Sequence, residues 1–80
     1  MKRIGTLTIT GRWPMELDGL FLGYTESTAK RFALVEGGIE RRGRLYKTHD
    51  PRYLAECLGV LDARITARYN VPGVTGTVRF

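Results

Sequence analysis

Arg31, Arg42, Arg44 and Tyr46 are the residues of this chain whose types and spacing best suit chemistry with a partner. A guanidinium group grips phosphate through two parallel hydrogen bonds, and a phenol ring stacks on a nucleobase. These residues lie in the window Lys30 to Arg52, which holds seven of the chain's thirteen Lys and Arg residues beside three acids, Glu36, Glu40 and Asp50. That window therefore carries +4 of the formal +5 net charge. A bland explanation competes: Glu40 and Glu26 could neutralise the arginines, and Tyr46 could cover Ala33 and Val35, leaving an ordinary solvated face.

Other chemistries find little material. His49 is the one histidine and Cys57 the one cysteine, so no Ser-His-Asp or Cys-His arrangement stands out. Zinc usually takes three or four protein ligands, more than one His and one Cys supply in a monomer. Cys57 falls on an apolar stripe, where a buried, inert thiol is the expectation, and His49 reads as a solvated turn residue. The eight acids show no paired spacing. Neither a Gly-x-x-x-x-Gly-Lys-Ser/Thr phosphate loop nor a dinucleotide fingerprint occurs. The expectation is a protein without catalysis, cofactor or metal.

Eighty residues make one domain, 1–80, with a single thin core. No apolar run approaches the ~18 residues of a membrane span, and the basic N-terminus is not followed by the apolar block of a secretory signal. The lone cysteine permits no internal disulfide, which points to a reducing, cytoplasmic setting. A pI of about 9.9 favours an acidic partner, although ten of the thirteen basic residues are Arg, a bias that genome composition also produces.

Two hairpins would position the arginines. Asp18-Gly19 suits a two-residue loop, setting Leu17 opposite Leu20, Met15 opposite Leu22 and Trp13 opposite Tyr24. Leu7 and Ile9 then share the apolar face, with Thr6, Thr8, Thr10, Arg12 and Glu16 on the other. Pro14 and Phe21 are misfits, and Pro14 marks a bulge, an edge or a strand end. Gly37-Gly38 as the second loop sets Leu34 opposite Arg41, Phe32 opposite Gly43 and Lys30 opposite Leu45. In that register Arg31 faces Arg44, and Arg31, Arg42, Arg44 and Tyr46 share one face. Like charges so placed repel unless an anion lies across them. Helices over 14–24 and 27–36 are the rivals. Trp13, Tyr24, Phe32 and Phe80 fall on core faces.

A helix over about 51–69 follows, with Asp50 as N-cap and Pro51 in the first turn. Leu54, Cys57, Leu58, Leu61 and Ile65 form its stripe, Arg64 and Arg68 complement its dipole, and Asn70 and Pro72 end it. A last strand runs from Val74 to Phe80, with Thr75, Thr77 and Arg79 on one side. The fold expected is α+β: an antiparallel meander of about four strands plus a C-terminal strand, packed on one long helix, with a curl towards a small barrel as a variant.

These elements suggest a small basic binding protein that engages nucleic acid through Arg31, Arg42, Arg44 and Tyr46, with weak sequence preference and steep salt dependence. The alternative is a regulator or inhibitor whose arginines meet an acidic protein surface, such as a phage- or plasmid-type protein blocking host machinery or a defence complex. Its positive charge argues against mimicry of DNA. A third reading is a homo-oligomer joined through unpaired strand edges.

Overall fold

The computed structural model describes residues 2–80, apart from the side chains of Val74 and Thr75. Its centre is β1 (Arg3–Arg12), in which Leu7 and Ile9 are fully buried while Thr6, Thr8 and Thr10 face the other way. Strict alternation of this kind fits a strand with one face on a core and the other towards water. β1 pairs antiparallel with β4 (Thr28–Val35) on one side and β7 (Leu61–Val71) on the other. β5 (Gly38–Arg41) and β6 (Arg44–Tyr46) extend one flank, and β8 (Val74–Arg79) extends the other. The six-stranded order is β6-β5-β4-β1-β7-β8. A separate two-stranded ribbon, β2 (Pro14–Leu17) and β3 (Leu20–Tyr24), projects from the end of β1.

One short helix, α1 (Pro51–Cys57), covers the apolar face with Leu54 and Ala55. These residues join Leu7, Ile9, Trp13, Phe32, Leu34, Ile39, Ile65 and Ala67 in a single core. Trp13 stacks on Phe32 with ring centroids 6.2 Å apart, and its Nε1 donates to the Thr28 carbonyl at 3.0 Å. Asp50 caps α1 as expected, its Oδ1 accepting from the amides of Arg52 and Tyr53 at 3.1 and 3.3 Å.

The fold differs from the sequence-based expectation in its largest element. There is no helix over 51–69: α1 stops at Cys57, and Leu61–Val71 is the longest strand of the sheet. Gly59, at φ +74°, ends the helix in the left-handed conformation, with its amide donating to the Glu56 carbonyl at 3.0 Å. Beyond it, Ile65, Ala67 and Tyr69 alternate with Arg64, Thr66 and Arg68, a period of two that outweighs the helical spacing of Leu54, Leu58, Leu61 and Ile65. Asn70 and Pro72 end no helix; Pro72-Gly73 is the turn joining β7 to β8. The architecture is therefore mostly antiparallel sheet with one helix of seven residues, and no barrel closes. Nor is it a simple meander, because the first strand lies in the middle.

Both hairpins form at the expected turns or close to them, with altered registers. Leu17 does face Leu20 and Glu16 faces Phe21, but a bulge between Met15 and Glu16 then sets Met15 opposite Gly23 instead of Leu22. Pro14, which cannot donate to a ladder, sits at the strand start opposite Tyr24. In the second hairpin Val35 pairs with Gly38 and Leu34 with Ile39, so the turn is Glu36-Gly37. Gly38 lies inside β5, where any Cβ would collide with the Tyr46 carbonyl of the neighbouring strand. A second turn, Arg42-Gly43, with φ +51° and +80°, then splits the expected long strand into β5 and β6. Within 14–24 and 27–36 the chain forms β2, β3, β4 and their turns, and no helix.

Candidate functional site: a basic, threonine-floored sheet face

The polar face of the six-stranded sheet has no helix over it. Its floor is built by alternation: Thr6, Thr8 and Thr10 on β1 and Thr66 on β7 point away from the core. Cross-strand pairing then lines up two rows. In one, Arg31, Thr8, Thr66 and Arg79 stand side by side across β4, β1, β7 and β8. In the next, Glu40, Ala33, Thr6, Arg68 and Thr77 do the same across β5 to β8. Arg64 flanks Thr10 at the far end. Four arginines, Arg31, Arg64, Arg68 and Arg79, thus rise from one face, and all four are exposed.

Charge on this face is unbalanced. Among the described residues, the salt bridge is Arg12 to Asp62 at 2.7 Å, and it occupies the acid nearest Arg64 in sequence. Arg31, Arg42, Arg64, Arg68 and Arg79 form no salt bridge among these residues. Glu40 is the one acid in the rows above. Between Arg31 and Arg68 lies a shallow depression of about 350 Å³ floored by Thr6, Thr8, Thr66 and Thr77. A neighbouring depression of about 380 Å³ takes in Arg3, Arg31, Arg41, Arg42 and Glu40. Arg3 is anchored there by donating from Nη2 to Thr6 Oγ1 at 2.8 Å, and Arg41 Nη1 donates to the Arg31 carbonyl at 3.1 Å. Threonine hydroxyls and guanidinium groups together suit an anion bearing several oxygens.

The four residues singled out from sequence are divided by the sheet. Arg31 and Arg42 line the same depression. Arg44 pairs with Arg41, not with Arg31, and lies over the Tyr46 ring at 5.2 Å. Tyr46 packs edge-on against Phe32 at 6.4 Å on the core side, so Arg44 and Tyr46 belong to the opposite face. Arg64 and Arg68 were hidden by the helical reading of 51–69. The alternation of Arg64, Thr66 and Arg68 against Ile65, Ala67 and Tyr69 is the signal that reveals them. Arg79 already stood on the polar side of the last strand.

The remaining chemical groups lie elsewhere. Cys57 is exposed at the end of α1 instead of buried, because the helix stops there. The exposed Tyr53 hydroxyl has its pKa raised above the ordinary 10.0, first through hydrogen bonding with Cys57, then through electrostatic interaction with the same side chain, and last through desolvation. His49 places Nε2 at 3.1 Å from the Glu36 carbonyl. Among the described residues, no three His, Cys, Asp or Glu side chains gather as metal ligands. Among the described residues, no helix is long and apolar enough to cross a membrane. Two of the four aromatic residues expected in the core are exposed: Trp13 and Phe32 are buried, while Tyr24 and Phe80 are not.

No protein-family model, curated protein or solved structure matches this chain.

Proposed function

We propose that this is a non-enzymatic nucleic-acid-binding protein that holds the sugar-phosphate backbone across the open face of its sheet. Arg31, Arg64, Arg68 and Arg79 would contact phosphates, with Arg3 and Arg42 extending the track at one end. The observation that carries this reading is the set of four exposed arginines around a threonine floor, none of them in a salt bridge among the described residues. At a strand spacing of roughly 4.8 Å, Arg31 and Arg79 stand about 14 Å apart across the row, and Arg64 and Arg68 about 13 Å apart along β7. Those spans exceed one phosphate group and fit a polymer with several. No aromatic ring belongs to the rows of this face, so the contacts are to the backbone, which positions a ligand without reading its sequence.

Fluorescence anisotropy with duplex and single-stranded oligonucleotides of unrelated sequence tests the reading. Four phosphate contacts give a log–log salt slope of about −3.6 on duplex and about −2.8 on single strands. Affinity on duplex should then fall roughly hundredfold between 50 and 200 mM salt. Absent or salt-insensitive binding overturns the proposal. If instead a nuclease-treated lysate yields a retained acidic protein, the same arginines serve a protein surface.

A further inference from the structure

The β2–β3 ribbon exposes every large apolar side chain it carries: Met15, Leu17, Leu20, Phe21, Leu22 and Tyr24, with Leu17 at 63% and Leu20 at 66%. A lone two-stranded hairpin has little stability of its own in water. This one is tied to the body at its root, where the Thr25 amide donates to the Trp13 carbonyl at 2.8 Å and the Trp13 amide to Thr25 Oγ1 at 2.9 Å. Neither of its faces is suited to solvent. Leu17 and Leu20 pair on one, and Glu16 and Phe21 pair on the other. A patch of this kind marks a contact surface.

Charge identifies what covers it. The ribbon, Pro14–Tyr24, contains Glu16 and Asp18 and no Lys or Arg, so the arm carries −2 and the rest of the chain +7. An apolar surface that offers a cation to Glu16 is the complement, and the net-positive body supplies one beside the arm's own root. Between α1 and the start of β7 runs a groove of about 280 Å³ lined by Ala55, Val60, Ala63 and Phe80, with Arg52 and Glu56 at its rim. Val78, next along the same side of the sheet as Ala67, is 44% exposed. The arm leaves the body close by, since Arg12 pairs with Leu61 and Pro14 faces Gly59. No residue of the arm lines the groove.

We propose that two copies of the chain pair by exchanging arms, each laying its Glu16–Phe21 face into the partner's groove. Phe21 enters among the apolar residues of the groove and Glu16 meets Arg52, while the Leu17–Leu20 faces of the two antiparallel arms pack on each other across the two-fold axis. Such an isologous contact closes at two copies, which a head-to-tail contact does not. The groove lies on the core side of the sheet, so both basic faces stay free, and the inference is independent of what those faces bind.

Sedimentation velocity over a concentration series reads the outcome. The native chain is expected to dimerise, and Leu20→Ser or Phe21→Ser to return monomers with an unchanged β-sheet circular dichroism spectrum. Glu16→Arg alone and Arg52→Glu alone each place like charges together and should weaken the dimer roughly tenfold. A mixture of these two single variants should restore it, because every contact in the mixed dimer again joins opposite charges. A native chain that stays monomeric, grows into open polymers, or yields variants whose mixture does not recover overturns the proposal. So does binding to neutral phosphatidylcholine vesicles that is lost in Phe21→Ser, which would place the arm in lipid.

Discussion

Arg31 and Arg79 stand at the two ends of a single cross-strand row, separated by Thr8 and Thr66. Nearly fifty residues lie between them in sequence, and β1 and β7 bring them onto one surface. The row shows how the sheet converts dispersed arginines into a basic face: charge at the flanks, short hydroxyl side chains between, and room for an anion in the middle.

Charge reversal separates the two sides of the sheet. Arg31→Glu and Arg68→Glu should each weaken oligonucleotide binding about tenfold or more, and Arg68→Ala should reduce the duplex salt slope by about 0.9. Arg44→Glu, over Tyr46 on the other face, should leave affinity within about twofold. Equal losses in all three would mean that net charge, and not this surface, attracts the ligand.

Gly59→Ala tests the helix stop. Space is available, since the nearest neighbour to an added Cβ is Pro14 Cγ at 3.6 Å, so the penalty is the left-handed backbone at φ +74°. The expected cost is about 1–2 kcal/mol. For a domain of this size, thermal unfolding should shift down by about 4–8 °C per kcal/mol. A variant as stable as the native chain would show that this turn relaxes freely.

Gly5→Ala probes a different constraint, close approach of strands. An added Cβ would collide with the Arg68 carbonyl and come within 3.1 Å of the Tyr69 Cα, both backbone atoms of β7. Destabilisation of about 1–3 kcal/mol is expected, read from a denaturant midpoint. Because Arg68 sits at that contact, oligonucleotide affinity should drop together with stability.

Lys30 offers a test by pH. Its ammonium lies 4.5 Å from the Trp13 ring centroid, and its pKa is lowered from 10.5, first by partial burial and then by the charges of Arg41 and Arg42. Between the lowered value and 10.5 the unfolded chain binds more protons at this site than the folded one. The site's contribution to stability therefore rises with pH through that window, and the full penalty applies below it. Arg42→Ala should move the Lys30 titration upward in a side-chain NMR experiment. No movement would show that Arg42 does not act on it and that burial and Arg41 set it.

The parts of the fold legible from the chain were those governed by local chemistry. Alternation of Leu7 and Ile9 with Thr6, Thr8 and Thr10 marks a half-buried strand, Asp50-Pro51 starts a helix, and Asp18-Gly19 closes a hairpin, because neighbouring residues alone settle each of these. The segment after Cys57 misled because its apolar residues satisfy two periods at once. Gly59 was the deciding signal, since it ends the helix after Leu58 and frees Leu61–Val71 to pair with β1.

The candidate site was half visible. Its dominant residue type could be read from composition, and Arg31 and Arg42 did come together. Which other arginines accompany them depended on strand order and register, which are properties of pairing between distant segments. An extra turn at Arg42-Gly43 sent Arg44 and Tyr46 to the core side, while pairing of β7 and β8 brought in Arg64, Arg68 and Arg79. Side-chain alternation is encoded residue by residue; the neighbours of a strand are chosen only when the whole sheet buries its apolar face.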